Sequence, residues 1–316
     1  HPELGGNWRV GAGSEFVVEA CEFDRSFLSL HPRAAIITNL ELDHPDIYPD
    51  LAAVQESFAA FVAGVREPGI TVLGDDGEGA RSLPIPPGRE VITFGFHSEA
   101  KWRAEVREGG ASPIFEAYHR GRSWGRFQLQ VAGRHNVLNA LGVVALAEAL
   151  GIERAAIAEG LANFPGVNRR FELRGRVRGV DWIDDFAHHP TELATAIETA
   201  RDVFGGRRLW VVFQPHQFGR LRTFGPEFAK QLARADGVGL FPVFSVRETE
   251  MRDAALLLDQ LVTRVRRSGT SIERFLSFED ASRRLPKLLR EDDVVLACGA
   301  GSLTRWTDSM VGEESP

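Results

Sequence analysis

From residue 177 to residue 297, short and almost wholly apolar runs alternate with longer helical patterns, and this alternation leaves few folds open. Runs 177–183, 209–213, 237–241, 272–275 and 294–297 read as strands, and stretches 191–204, 224–233, 252–267 and 279–289 as helices between them. Strands covered on both faces lose the in–out alternation of a half-solvated sheet, so continuous apolar runs separated by helices predict a parallel sheet with helices on both sides. In about 150 residues this is a Rossmann-like, doubly wound domain, whose ligands sit at the carboxyl ends of the strands. Polar residues just past each strand are therefore the candidate functional ones.

The preceding half reads differently. Runs 16–20, 34–38, 70–73 and 91–94 look like strands, and 51–65 like a helix with apolar residues at 51, 54, 58, 61, 62 and 65. Residues 101–130 break into short alternating segments around Gly109-Gly110 and Gly121, the pattern of an antiparallel meander. Helices follow at 136–150 and 152–164, the second ended by Pro165-Gly166, which marks the expected domain boundary. The fold class is therefore α/β. A central domain, 1–165, has a mostly parallel sheet with a small antiparallel part, and a Rossmann-like domain, 166–316, follows it.

A chain of 316 residues with 43% apolar side chains can fill two such cores. Its net charge of -7 argues against a general nucleic-acid-binding surface, so anionic ligands must be held by local arginines or metal. No apolar run approaches the roughly 18 residues of a membrane span and no leader pattern opens the chain, which predicts a cytoplasmic protein without membrane insertion. Cys21 and Cys298 each lie in or beside an apolar run and read as core thiols rather than a disulfide or nucleophile.

Ionisable clusters fall after the strands. Glu19, Glu22 and Asp24 follow the first, and Glu41, Asp43, His44 and Asp46 the second. Carboxylates at two neighbouring strand ends suit Mg²⁺, which takes few protein ligands and completes its shell with water and phosphate; acidic turns that cap helices are the other reading. In Gly133-Arg134-His135-Asn136, Asn136 reads as a helix cap, whereas Asn139, one turn in, reads as a buried amide wanting a partner. Arg169 and Arg170 form a pair whose forks suit phosphate, though a solvated pair is the commoner case. The densest cluster is Asp184-Asp185-Phe186-Ala187-His188-His189-Pro190, and Gln214-Pro215-His216-Gln217 with Arg220 again follows a buried strand. The glycine turn Gly299-Ala300-Gly301 is weak evidence, fitting ordinary strand-to-helix packing equally well.

Taken in order, the stretches EACEFDRSFLSLHP, TNLELDHPDIYPDL, GRHNVLNALGVVALAEALGI, FPGVNRRFELRG, DDFAHHPTEL and VVFQPHQFGRLRT resemble the Mur ligase family over essentially the whole chain. They are most similar to the branch that joins L-alanine to UDP-N-acetylmuramate. The resemblance implies an ATP-dependent amide ligase of peptidoglycan precursor synthesis that works through an acyl phosphate. It implies Glu19 and His44 as Mg²⁺ ligands, with Glu22, Asp43 and Asp46 behind them. Asn139 would lie near adenine, Asp185 on the ribose, and Arg170 would reach the ATP phosphates across the domain cleft. His188, His189, His216 and Arg220 would hold the amino acid and its acyl partner, with Arg170, His188 and Arg220 as the catalytic set.

Three departures stand beside it. The family's phosphate loop ends in Gly-Lys-Thr, yet Lys101, Lys230 and Lys287 are the only lysines and none follows a glycine. This leads to the expectation of a fragment without the phosphate loop and UDP-binding domain, inactive by itself, monomeric or homodimeric when whole. Gly219 and Leu221 flank Arg220 where the family usually carries hydroxyls, and helix 51–65 has no lysine to bridge metals. The alternatives are a murein tripeptide recycling ligase, a metal-dependent hydrolase built on Asp184, Asp185, His188, His189 and His216, and an inactive ligand-binding relative.

Overall fold

The computed structural model describes residues 6–97, 99–245 and 253–312. Two compact units emerge, Glu3–Pro165 and Gly166–Pro316. Among the described residues each is built on one six-stranded sheet.

In the first unit β1 (Ala34–Ile37), β2 (Gly69–Gly74), β3 (Arg89–Gly95) and β4 (Trp102–Glu108) run parallel. Antiparallel β5 (Ile114–His119) and β6 (Arg122–Gln128) complete the sheet in chain order. Helix α1 (Leu51–Ala63) covers one face: Val54, Phe61 and Val62 pack with Ile37, Tyr48 and Leu73. The short α2 (Glu78–Arg81) follows β2. On the other face α3 (Arg134–Ala149) and α4 (Arg154–Asn163) bury Val137, Leu141, Val144 and Ile157 against Val72, Phe94, Trp102 and Phe115.

The expected strand at 16–20 does not form. That segment has no regular secondary structure, with Phe16 87% and Val17 92% exposed. A strand needs a ladder to satisfy its backbone, and β1 has none beyond it among the described residues. Cys21 is correspondingly exposed rather than a core thiol, while Cys298 is buried and its thiol pKa is pushed well up by that burial.

The second unit orders its strands β11-β10-β9-β12-β8-β7. Five are parallel: β8 (Val180–Asp185), β9 (Leu209–Phe213), β10 (Gly237–Leu240), β11 (Ser271–Arg274) and β12 (Val294–Cys298). The edge strand β7 (Glu172–Val177) pairs antiparallel to β8 through a hairpin at Arg178-Gly179, so the single expected strand at 177–183 is the second arm of a hairpin. Every residue of β8, β9 and β12 is buried, as the apolar runs of β9 and β12 predict; in β8 this includes Asp181, Asp184 and Asp185. Alternate residues feed two cores: Ile183, Val211, Phe213 and Leu296 go to one, and Trp182, Trp210, Val212 and Val295 to the other.

Helices α5 (Pro190–Phe204), α6 (Phe218–Leu232) and α7 (Ala254–Arg267) cover the first core. Helices α8 (Phe278–Arg284) and α9 (Leu303–Gly312) cover the second. Helix α6 begins six residues before the expected 224, because Gly225-Pro226 only kinks it at Phe224 and Leu221 already packs on the core. Among the described residues no helix is long and apolar enough to cross a membrane.

Ile183 is wholly buried on the strand that ends in the paired aspartates. Ile183→Ala is expected to cost about 2–5 kcal/mol, read as a lower urea midpoint for the transition that unfolds this unit. A loss below about 1 kcal/mol would mean that β8 does not carry the core.

Candidate functional site

The second unit gathers its polar groups where β8, β9 and β12 end together. Strand β12 lies between β8 and β9, and Cys298 is in register with both Asp185 and Phe213. The three following turns are tied to one another: Gly299 N–H donates to the Asp185 carbonyl at 3.0 Å, and Gln214 N–H to the Cys298 carbonyl at 3.0 Å. This is the crevice position at which open α/β sheets bind ligands.

Asp184 and Asp185 form the floor. Asp185 is 8% exposed, and each carboxylate oxygen accepts a backbone N–H at 2.8 Å, Oδ2 from Phe171 and Oδ1 from Ala187. Burial outweighs these bonds and the nearby Arg170 charge, and raises its pKa to about 6. Asp184 is fully buried; its Oδ2 accepts from the Thr304 hydroxyl and lies 3.4 Å from Arg169 Nε. That ion pair is close but poorly aligned, since neither Arg169 Nε nor Asp184 Oδ1 has a hydrogen-bond partner. Burial again raises the Asp184 pKa.

The two arginines of the pair take different places. Arg169 reaches back into the protein, with Nη2 donating to the Gly299 carbonyl and its guanidinium 4.9 Å from the Phe186 ring centroid. Arg170 faces solvent with a 53% exposed side chain, 3.9 Å from Glu192 and 5.4 Å from the Phe186 centroid. The expectation of a phosphate-binding guanidinium on Arg170 therefore falls on the accessible member.

The histidines also divide. His189 caps α5: its Nδ1 accepts the Thr191 N–H at 3.3 Å, and Glu192 closes a capping box by accepting the His189 N–H at 3.1 Å. His188 is half-buried, with Nδ1 3.0 Å from the Phe186 carbonyl and 3.2 Å from Glu192 Oε2. Two acceptors around Nδ1 place a ring proton there. In His216 the arrangement is reversed. Its Nδ1 lies 3.1 Å from Arg220 Nη1, which must donate, so Nε2 carries the proton. The two rings meet edge to face at 5.8 Å. Arg220, in the first turn of α6, is 3% exposed. Gln217, left-handed at φ 66°, starts that helix while its N–H donates to the Phe244 carbonyl at 2.9 Å, and Phe244 stacks on His216.

In the first unit His44, left-handed at φ 51°, places Nε2 3.2 Å from Glu22 and 3.7 Å from Asp43. The hydrogen bond with His44 holds the Glu22 carboxyl below its ordinary range. The carboxylate brought to His44 is thus that of Glu22. Glu19 stands exposed in the irregular 16–20 segment, and Asp46 is exposed. Among the described residues no group of three His, Cys, Asp or Glu could hold a metal ion, which gives the hydrolase set at 184–216 no support; a Mg²⁺ site with two protein ligands and a shell of water and phosphate does not require such a group. Asn139 is not the buried amide expected; it is exposed, and its Nδ2 lies 3.4 Å from Asn136 Oδ1. Gly133 is the N-cap of α3, and Asn136 instead donates back to the Ala132 carbonyl at 2.7 Å.

Residues 12–147 match the Mur ligase middle domain and residues 169–301 the Mur ligase, glutamate ligase domain. A UDP-N-acetylmuramate–L-alanine ligase of Nitratidesulfovibrio vulgaris strain DP4 is 39% identical over 98% of this chain. The chain belongs to the Mur ligase family. It spans 68% of that relative's length, so about a third of such a protein lies outside the matched region. Among solved structures, the UDP-N-acetylmuramate-alanine ligase MurC of Thermotoga maritima is 27% identical with a TM-score of 0.73, over 92% of this chain and 61% of its own. The MurF ligase of the same organism in complex with ADP shares the fold at 18% identity and a TM-score of 0.71, over 92% of this chain and 65% of its own.

Thr304 and Phe244 are the members of this candidate site that sequence reading missed, and the inward, anchoring place of Arg169 was not foreseen. Arg169 looked like half of a solvated pair, and Thr304 lies on α9, whose apolar residues at 303, 306 and 310 carried a helical period that was available to read. The raised Asp185 pKa has a consequence for stability. The folded protein binds that proton more tightly than the unfolded chain, so the contribution is complete below the unfolded carboxyl range and is lost as pH rises through about 6. The stability difference between the natural protein and Asp185→Asn is expected to shift against the natural protein between pH 4 and pH 7 in urea titrations. A pH-independent difference would contradict the raised pKa.

Proposed function

We propose that the chain is the ATP- and amino-acid-handling part of a ligase that joins L-alanine to UDP-N-acetylmuramate, a cytoplasmic step of peptidoglycan synthesis. The observation that carries this reading is the set Arg170, His188, His216 and Arg220 at the ends of β8 and β9, with His188 and His216 in complementary tautomers. The relatives' names support the reaction, and the ADP bound to a structural neighbour supports the nucleotide.

The reaction asks mainly for positioning and charge neutralisation. A muramoyl carboxylate oxygen attacks the γ-phosphorus of ATP, ADP departs, and an acyl phosphate forms. The alanine amine then adds to the acyl carbon, phosphate leaves with its bonding pair, and the amine proton is lost. Arg170, accessible and cationic, stabilises the transferring phosphoryl group. His188 accepts the amine proton at Nε2, its Nδ1–H held by Phe186 and Glu192. His216 donates from Nε2, and Arg220 holds it in that tautomer while its buried charge favours the alanine carboxylate. His189 keeps the start of α5 in place. Asp185 retains a lone pair on each oxygen for the ribose. In the other unit, Asn139 is exposed toward solvent as an adenine contact must be. Glu19 and His44 are the residues that would hold Mg²⁺, which would neutralise phosphate charge with water and nucleotide oxygens completing its shell; no step is derived through it.

The test uses the whole polypeptide as its gene encodes it. Phosphate release from ATP should require both UDP-N-acetylmuramate and L-alanine, and His188→Gln should lower kcat by about 10²–10⁴ with little change in the KM for alanine. Release that is independent of L-alanine, or that proceeds better with a murein tripeptide, would overturn the assignment.

A further inference from the structure

The turn that presents Arg170 is held by more interactions than a surface loop needs, and they converge on Arg169. The residues on either side of Arg170 are both left-handed, Arg169 at φ 62° and Phe171 at φ 52°, conformations that bulky L side chains adopt only when the surroundings impose them. Each backbone N–H of the turn is used: Arg169 donates to Glu172 Oε2 at 2.8 Å, Arg170 to the Val167 carbonyl at 3.2 Å, and Phe171 to Asp185 Oδ2 at 2.8 Å. The Arg169 carbonyl accepts the Phe186 N–H at 2.7 Å.

The Arg169 side chain then makes the long-range tie. It bonds the Gly299 carbonyl beyond β12 and pairs with Asp184 Oδ2 at the end of β8, the same oxygen that accepts the Thr304 hydroxyl of α9. One guanidinium thus joins the turn to two strand ends and a helix. It also packs against the Phe186 ring, which Arg170 approaches as well. With Arg169 anchored inward, the reversal of the chain at 170 directs the next guanidinium to solvent.

We infer that Arg169 is a positioning residue of the ligase reaction: it touches no substrate and fixes the direction in which Arg170 meets the phosphoryl group. The inference rests on the proposed function, since it assigns Arg169 a task only if Arg170 serves phosphoryl transfer. Lysine at 169 would keep the charge opposite Asp184 but lacks the fork that reaches Gly299 at the same time, so the two substitutions Arg169→Met and Arg169→Lys should differ.

The experiment is a double-mutant cycle on the whole native polypeptide, with steady-state rates for ATP and thermal unfolding for each variant. Arg169→Met should lower kcat/KM for ATP by about 10²-fold, the effect of a misplaced reacting group, and Arg169→Lys by less. Arg170→Ala should lower it at least as much as Arg169→Met. In the Arg170→Ala background, Arg169→Met should change kcat/KM by less than about threefold, because the group it directs is gone. If the two losses multiply, or if Arg169→Met lowers activity only as far as its loss of folded protein accounts for, Arg169 is structural and the inference fails. If Arg170→Ala leaves kcat/KM unchanged, the assignment of Arg170 in the proposed function falls instead, and the inference with it.

Discussion

The second unit depends on the burial of two adjacent carboxylates at the carboxyl end of β8. An aspartate removed from water carries a large desolvation cost, and Asp184 and Asp185 meet it in different ways. Asp185 accepts two backbone N–H groups, and Asp184 takes a hydroxyl and the charge of an arginine. None of these partners is a neighbour on the same strand. They come from the 169–171 turn, from the start of the loop before α5, and from α9, so satisfying the pair fixes the loops around it.

That constraint gives the accessible groups their order. Once Asp184 has drawn Arg169 inward, Arg170 is the guanidinium left at the surface of the turn. Once Asp185 has fixed Ala187, the Phe186 carbonyl and Glu192 set the tautomer of His188. Past the end of β9, buried Arg220 in the first turn of α6 does the same for His216 with the opposite sense. In the proposed reaction negative charge develops on the departing ADP, then on the tetrahedral oxygen and the departing phosphate; donors must be in place before it does, because rearranging them during the reaction would add to the barrier.

Much of this was legible in the sequence. The βα alternation gave the doubly wound sheet, and the density of ionisable groups past β8 and β9 marked the crevice. What could not be read were properties set by partners distant in the chain. Residues 16–20 have the composition of a strand, yet pairing is not a local property; without a ladder they stay irregular, with 16–19 exposed. Glu22 rather than Glu19 is the neighbour of His44, beside left-handed backbone at Asp24, Arg25 and His44, where non-glycine residues give no warning. Asn139 falls on the solvent face of α3, and the pattern of an Ala-rich helix that is apolar nearly all round does not say which face that is. The two arginines at 169–170 are chemically alike, and only the position of Asp184 tells them apart.

The account holds that the Asp185 carboxylate clamps two turns that would otherwise move freely. Hydrogen exchange at the Phe171 and Ala187 amides measures this directly. Both lie outside the strands and helices, so an unclamped turn would exchange them quickly. The account predicts protection comparable to the amides of β8 at neutral pH. Exchange at the rate of exposed loop amides would contradict it, and would remove the physical basis for treating the crevice as a preorganised site.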